Sequence, residues 1–287
     1  MTIRLGHSPD ADDAFMFWAL AAGLVDTPLQ FEHVLRDIQT LNEWARAGKL
    51  EFTAMSVHNL AYVAERYVVL NQGGSFGDGY GPMLVAREPI PLEALREYTI
   101  AVPGSLTSAY LALRLFLPDA RTVEMPFDAI MPAVQRGEVD VGLLIHEGQL
   151  THRQAGLHLL LDLGVWWGEQ TGGLPLPLGI NAVRADLPQA VQHEIARAFR
   201  ESIRLALEHR DQAMQYALQF GRGIDPDTAK RFVGMYVNEL TLDMGARGRQ
   251  AIIEFLSRGA AAGVAPKATV RFLDDEHLVD SHQVRMV

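Results

Sequence analysis

The sequence predicts an α/β fold built on largely parallel sheets. Short β-type runs alternate along the chain with longer stretches of helical period, which is the signature of that class. The alternation breaks at Arg87-Glu88-Pro89-Ile90-Pro91 and then restarts, so a second domain is expected to begin there. A length of 287 residues accommodates one large or two modest domains.

Taken in order, Ile3 to Gly6 reads as the first strand. Pro9 breaks it, Asp10, Asp12 and Asp13 offer helix caps, and Phe15 to Ala22 continues as a helix that Gly23 ends. Strand Phe31 to Leu35 precedes helix Ile38 to Ala47, closed by Gly48. Phe52 to Ser56 is a strand, His58 to Tyr67 a helix and Val68 to Gln72 a strand. Gly73 to Gly81 is expected to be a loop that turns sharply before strand Met83 to Ala86. After the break come strand Thr99 to Val102, a helix opened by Gly104 to Ser108 and running to Phe116, and strand Arg121 to Met125. Phe127, Ile130, Met131 and Val134 mark one apolar helix face. Val139 to Ile145 is a buried strand; Leu157 to Leu163 and Leu178 to Val183 are two more, separated by Trp166-Trp167 and a Gly/Pro-rich turn. From Pro188 the pattern changes to consecutive helices. Val191, Ile195, Phe199 and Ile203 step by four, and further helices fit Gln212 to Phe220, Pro226 to Glu239 and Arg249 to Ala262. Asp274 to Val287 carries little periodicity and is expected to be a mobile tail.

Composition narrows the functional classes. Apolar residues make up 48% and charged residues 21%, ordinary globular values that exclude disordered and fibrous readings. With 25 Lys and Arg against 35 Asp and Glu, the net charge is −10, the wrong sign for gripping nucleic acid or an anionic membrane. The absence of cysteine excludes disulfides, thiol nucleophiles and cysteine-ligated metals. Met1 to Gly6 runs directly into Ser8-Pro9-Asp10 with no export signal, and no apolar run approaches the roughly 18 residues of a spanning helix, so a cytoplasmic location is expected.

Several familiar motifs fail on context. Gly77-x-Gly79-x-Gly81 precedes a strand instead of opening a helix after one, so it is a turn and not a dinucleotide fingerprint. His146-Glu147-Gly148-Gln149-Leu150 lacks the second histidine of a zinc protease, and no metal site is expected. Neither a nucleophile elbow nor a Walker loop is present.

Four segments remain, each at the carboxyl end of an expected strand, where open α/β sheets gather ligands. Ser8 to Asp13 offers a hydroxyl and carboxylates, although Asp12 and Asp13 suit helix capping equally well. Ser56, with His58 and Asn59, ends the third strand and is also a natural cap. Gly104 to Ser108 allows close approach and sets the Thr107 and Ser108 hydroxyls beside helix-start N–H groups, an arrangement that favours a carboxylate. His146 follows a wholly apolar strand and is expected to project into the crevice. Glu147, pointing to the opposite side, is expected to cap. Trp166, Trp167 and Tyr80 are available to pack a flat ligand, but single aromatics are more often core or rim.

Together these segments resemble the 1,4-dihydroxy-6-naphthoate synthase family of the futalosine route to menaquinone. The resemblance spans roughly Ile3 to Leu273. It rests on Ser8-Pro9-Asp10-Ala11-Asp12-Asp13, Asp37-Ile38-Gln39-Thr40-Leu41-Asn42, Gly79-Tyr80-Gly81-Pro82, Leu144-Ile145-His146-Glu147 and Leu174-Pro175-Leu176-Pro177-Leu178-Gly179. It implies a two-lobed α/β fold of the type II periplasmic-binding-protein kind, with a central cleft and a two-strand hinge. Residues 1–90 and 184–287 would form lobe one and residues 91–183 lobe two. It further implies a cofactor-independent lyase that converts cyclic dehypoxanthine futalosine, a small-molecule carboxylate, into 1,4-dihydroxy-6-naphthoate. His146 matches the proposed base, in keeping with an imidazole's ability to take up a proton near neutral pH. Thr107 and Ser108 match a hydroxyl pair suited to the substrate carboxylate, and Ser56 matches a cleft serine; Ser8, Asp10 and Asp12 complete the expected substrate site. Many members carry asparagine in place of Asp12, and some carry cysteine and proline in place of Asp10 and Ala11. The related chorismate dehydratase and a non-catalytic receptor for a small carboxylate are the alternatives. The oligomeric state is left open, a homodimer included.

Overall fold

A computed structural model describes residues 1–220 and 225–273; the tail expected from Asp274 onward lies outside the described residues. The chain begins with β1 (Thr2–His7), which buries Ile3 and Leu5. It continues through α1 (Ala11–Ala21), β2 (Gln30–Leu35), α2 (Ile38–Arg46) and β3 (Phe52–Ser56). Strands β2 and β3 lie parallel to β1 on its two sides. Helix α1 is apolar almost all round, and all of it but Ala21 is buried between the sheet and later helices, as expected of a core helix. Helix α2 is capped by Asp37, whose carboxylate accepts from the Thr40 N–H at 3.0 Å. Then follow α3 (Val57–Val63), β4 (Tyr67–Val69) and β5 (Ser75–Gly77).

The second sheet comprises β6 (Met83–Ala86), β7 (Thr99–Val102), β8 (Arg121–Glu124), β9 (Val141–Leu144) and β10 (His158–Asp162), in the order β10-β6-β9-β7-β8. Helices α4 (Ser108–Phe116), α5 (Phe127–Arg136), α6 (Gly148–Thr151) and α7 (Leu163–Thr171) are interleaved with these strands. The face of α5 carrying Ile130, Ala133 and Val134 packs on Val85, Ala101 and Leu144.

Strand β11 (Leu176–Arg184) returns to the first sheet, whose order is β2-β1-β3-β11-β4 with β5 also paired to β11. The remaining helices are α8 (Gln189–Glu208), α9 (Arg210–Ala217), α10 (Pro226–Tyr236), α11 (Glu239–Leu242) and α12 (Gly245–Ala261). The four-residue stepping in α8 buries Ile195, Phe199 and Ile203, and Phe199 stacks on Phe17 with centroids 4.5 Å apart. Helix α12 touches β11, α3 and α4, so it lies against both lobes. Among the described residues no helix is long and apolar enough to cross a membrane.

Several expectations need correction. The sheets are mixed: β1, β2 and β3 run parallel, as do β7, β8 and β9, but β6, β10 and β11 are antiparallel to their neighbours. One strand in each sheet runs against all the others, β6 in the second and β11 in the first, and each is the strand entered directly after the chain changes sheet. The changes fall between β5 and β6 and between β10 and β11. Pro89 and Pro91 lead into a 3-10 turn at Leu92–Glu97, a louder signal than the crossing itself. At the crossings the two chain segments meet glycine to glycine. A Cβ on Gly81 would stand 2.7 Å from the Gly164 nitrogen, too close for any side chain. Strand β5 emerges from the expected loop, and Trp166 and Trp167, expected only to lie between two strands, belong to α7.

Candidate active site

Four chain segments leave the carboxyl ends of β1, β3, β7 and β9 and converge on one cavity between the sheets. It encloses about 740 Å³ of space, counting the part open to solvent. Ser8, Asp10, Asp12, Ser56, Thr107, Ser108 and His146 all line it. His58, Asn59, Glu147, Tyr80, Trp166 and Trp167 do not. Trp167 is buried against Phe255, and Trp166 packs on Phe116. Tyr80 donates its hydroxyl to the Met235 carbonyl and supports Tyr236 edge-on. Glu147 occupies the cap position of α6, but its side chain makes no capping bond.

His146 sits two residues beyond β9 with φ of 53°, the sole non-glycine in the left-handed region among the described residues. Such a conformation costs about 1 kcal/mol or more for an L-residue and persists where surrounding contacts impose it. Here the ring is held edge-on to Phe127 at 4.8 Å and to Phe232 at 6.3 Å. Nδ1 lies 3.5 Å from Asp10 Oδ2, an ion-pair distance longer than a formed hydrogen bond. Nε2 has no hydrogen-bond partner among the protein atoms.

The acidic loop is built on the start of α1. Asp10 occupies the cap position without capping its own helix; Oδ2 accepts from the Ser8 hydroxyl and faces the imidazole. Asp13 reaches back to accept the Ser8 N–H at 2.7 Å. Burial, then the neighbouring carboxylates of Asp13 and Asp10, pushes Asp12 well above the usual carboxylate range, and His146 opposes this weakly. Burial and Asp10 raise Asp13 too, against the Ser8 N–H. A buried acid held protonated can donate a hydrogen bond as well as accept one.

Opposite lies the start of α4. Thr107 is its cap, accepting from the Tyr110 N–H at 3.2 Å and donating to the Gly104 carbonyl at 2.8 Å. The Ser108 hydroxyl donates to the Leu178 carbonyl at 2.6 Å and accepts from the His58 N–H at 3.2 Å. Both hydroxyls thus already have partners within the protein. Helix geometry leaves the first N–H groups, those of Ser108 and Ala109, without intrahelical acceptors, and both residues line the cavity. Gly104, at φ of 136°, admits Gln39, which accepts from the Leu106 N–H at 3.3 Å. Ser56 accepts from Asn42 Nδ2 at 3.0 Å, which leaves its O–H available as a donor.

Gln149, Phe232 and Tyr236 also line the cavity and were not anticipated. Gln149 lies in the motif rejected as a zinc site, and the two aromatics arrive on α10; no local pattern marks any of them. Asp10, His146 and Glu147 offer potential metal-ligand atoms within 4.8 Å of one another. Asp10 Oδ2 already serves Ser8 and faces the imidazole, so the arrangement reads as a carboxylate–histidine pair beside an acid loop.

Residues 3–261 match the family described as menaquinone biosynthesis. A 1,4-dihydroxy-6-naphthoate synthase of Thermus thermophilus is 41% identical over 263 residues, covering 92% of this chain and 96% of the relative. One from Streptomyces coelicolor is 38% identical over 271 residues, covering 92% and 95%. A crystal structure of a protein from Archaeoglobus fulgidus superposes with a TM-score of 0.88 at 49% identity, covering 92% of this chain and 98% of that one. The alkanesulfonate-binding protein SsuA of Xanthomonas axonopodis has a TM-score of 0.70 at 14% identity, covering 93% and 94%, and shows the shared periplasmic-binding-protein fold alone. It lends no support to the receptor alternative, and the curated relatives carry the synthase name and not that of the dehydratase. With nearly the whole chain matched, this protein belongs to the menaquinone biosynthesis family.

Proposed function

We propose that this chain is a cofactor-independent lyase that converts cyclic dehypoxanthine futalosine into 1,4-dihydroxy-6-naphthoate and a sugar-derived fragment, with His146 as general base. The observation that carries the reading is the imidazole itself, fixed on a strained corner of the cavity wall with Nε2 buried and without a hydrogen-bond partner among the protein atoms. The substrate carboxylate rests on the Ser108 and Ala109 N–H groups, where the dipole of α4 favours negative charge. This leaves the far end of the molecule near His146. Nε2 takes a proton from a carbon beside a carbonyl, the electron pair left behind expels the sugar-derived fragment, and the imidazolium returns the proton to it. Ser56 and the protonated form of Asp12 supply hydrogen bonds to substrate oxygens. The reading places the enzyme in the cytoplasm.

Purified protein incubated with cyclic dehypoxanthine futalosine and no added cofactor is expected to release the naphthoate, followed by chromatography and mass spectrometry. A folded preparation that yields no product overturns the proposal. Conversion of chorismate instead would transfer the activity to the dehydratase.

A further inference from the structure

We propose that Asp10 is a positioning residue that fixes the tautomer and aim of the His146 imidazole across the gap between the lobes. The proposal deepens the reading of His146 as base and rests on it. The two side chains arrive from opposite sides of the cleft: Asp10 follows β1 of the first sheet, and His146 follows β9 of the second. Asp10 is 2% exposed, and its Oδ2 faces Nδ1 at 3.5 Å.

Three features make Asp10 suited to this work. Its carboxylate stands where a helix cap belongs yet makes no capping bond; the Ser8 hydroxyl holds the same oxygen that faces the ring. The start of α1 supplies a favourable dipole for negative charge. Finally, Phe127 and Phe232 flank the ring, with Nδ1 facing Asp10 and Nε2 keeping no hydrogen-bond partner among the protein atoms. An Nδ1–H donated to Asp10 leaves the Nε2 lone pair as the base, and the carboxylate then stabilises the imidazolium that forms. The 3.5 Å separation is of the kind that tightens when substrate is bound. Glu147, the adjacent acid, is the competing candidate; its side chain is less buried and does not line the cavity.

The test is the histidine tautomer, read in full-length protein labelled with nitrogen-15 at histidine, by long-range proton–nitrogen correlation. The His146 signals are assigned by their loss in His146→Asn. In the wild type, Nδ1 is expected to carry the proton and Nε2 to be bare. In Asp10→Asn the amide can donate to Nδ1 and so favours the opposite tautomer. With the cyclic substrate, Asp10→Asn should lower kcat, counted per folded molecule by active-site titration with the naphthoate, at least about 100-fold while KM stays within about threefold. An Nε2–H tautomer in the wild type overturns the proposal even if Asp10→Asn fails to fold. A Glu147→Gln variant that switches the tautomer while Asp10→Asn does not also overturns it. If the wild type leaves the cyclic substrate unchanged, the proposed reaction fails while the tautomer still decides the role of Asp10.

Discussion

The Tyr236 hydroxyl donates to Gln149 Oε1 at 2.8 Å, and both side chains are buried. The bond ties α10, which packs on α1 and β5, to α6 at the end of the second sheet. It therefore spans the cleft beside His146. Removing the hydroxyl leaves a buried acceptor without its donor, a cost of about 1–3 kcal/mol. Tyr236→Phe is expected to weaken binding of the naphthoate about tenfold, measured by calorimetry. Unchanged affinity would mean that the bond has no part in holding the lobes together over a ligand.

His146→Asn should abolish turnover and leave the fold intact. Asparagine tolerates the left-handed conformation found at this position, so the backbone is not penalised. Product binding through the carboxylate should survive, because the start of α4 is untouched. Activity equal to wild type would assign the base to another group.

Ala109→Pro probes the carboxylate site without removing a side-chain hydrogen bond. Proline is accommodated in the first turn of a helix but deletes one of the N–H groups proposed to hold the carboxylate. KM should rise about tenfold and kcat much less, the cost of one charge-assisted hydrogen bond. A variant with normal KM would place the carboxylate elsewhere in the cavity.

The acid loop gives stability a definite pH dependence. Asp12 is pushed from an ordinary 3.8 up to about 8, so between those values the folded state binds the proton more tightly than the unfolded chain. Its stabilising contribution is present below about 4 and is lost as pH rises through 8. Asp12→Asn lacks that loss. Urea melts should find the two proteins similar near pH 4 and the variant more stable by at least about 1 kcal/mol at pH 8.5. A constant difference across this range would show that folding does not raise the Asp12 pKa.

The strand ends were legible because hydrophobic runs closed by polar residues mark them directly. That pattern points to Ser8, Ser56, Thr107 and His146, and all of them line the cavity. Tyr236 and Gln149 were not legible, since they meet across 87 positions of sequence and neither carries a local motif. Strand β5 exists through its pairing with β11, and the glycines around it give no β signal of their own. The helix α7 hid behind two tryptophans that look like ligand platforms until Trp167 is seen against Phe255. The capping alternative for the acid loop had the right geometry for the chain but the wrong partner for Asp10, which serves Ser8 and the imidazole.

The corner at residue 146 sets two selective pressures against each other. A screen that rewards heat resistance or expression yield alone would exchange the ring there for glycine and relieve the backbone. Lineages kept under such a regime should lose the proposed base early, with the rest of the scaffold intact.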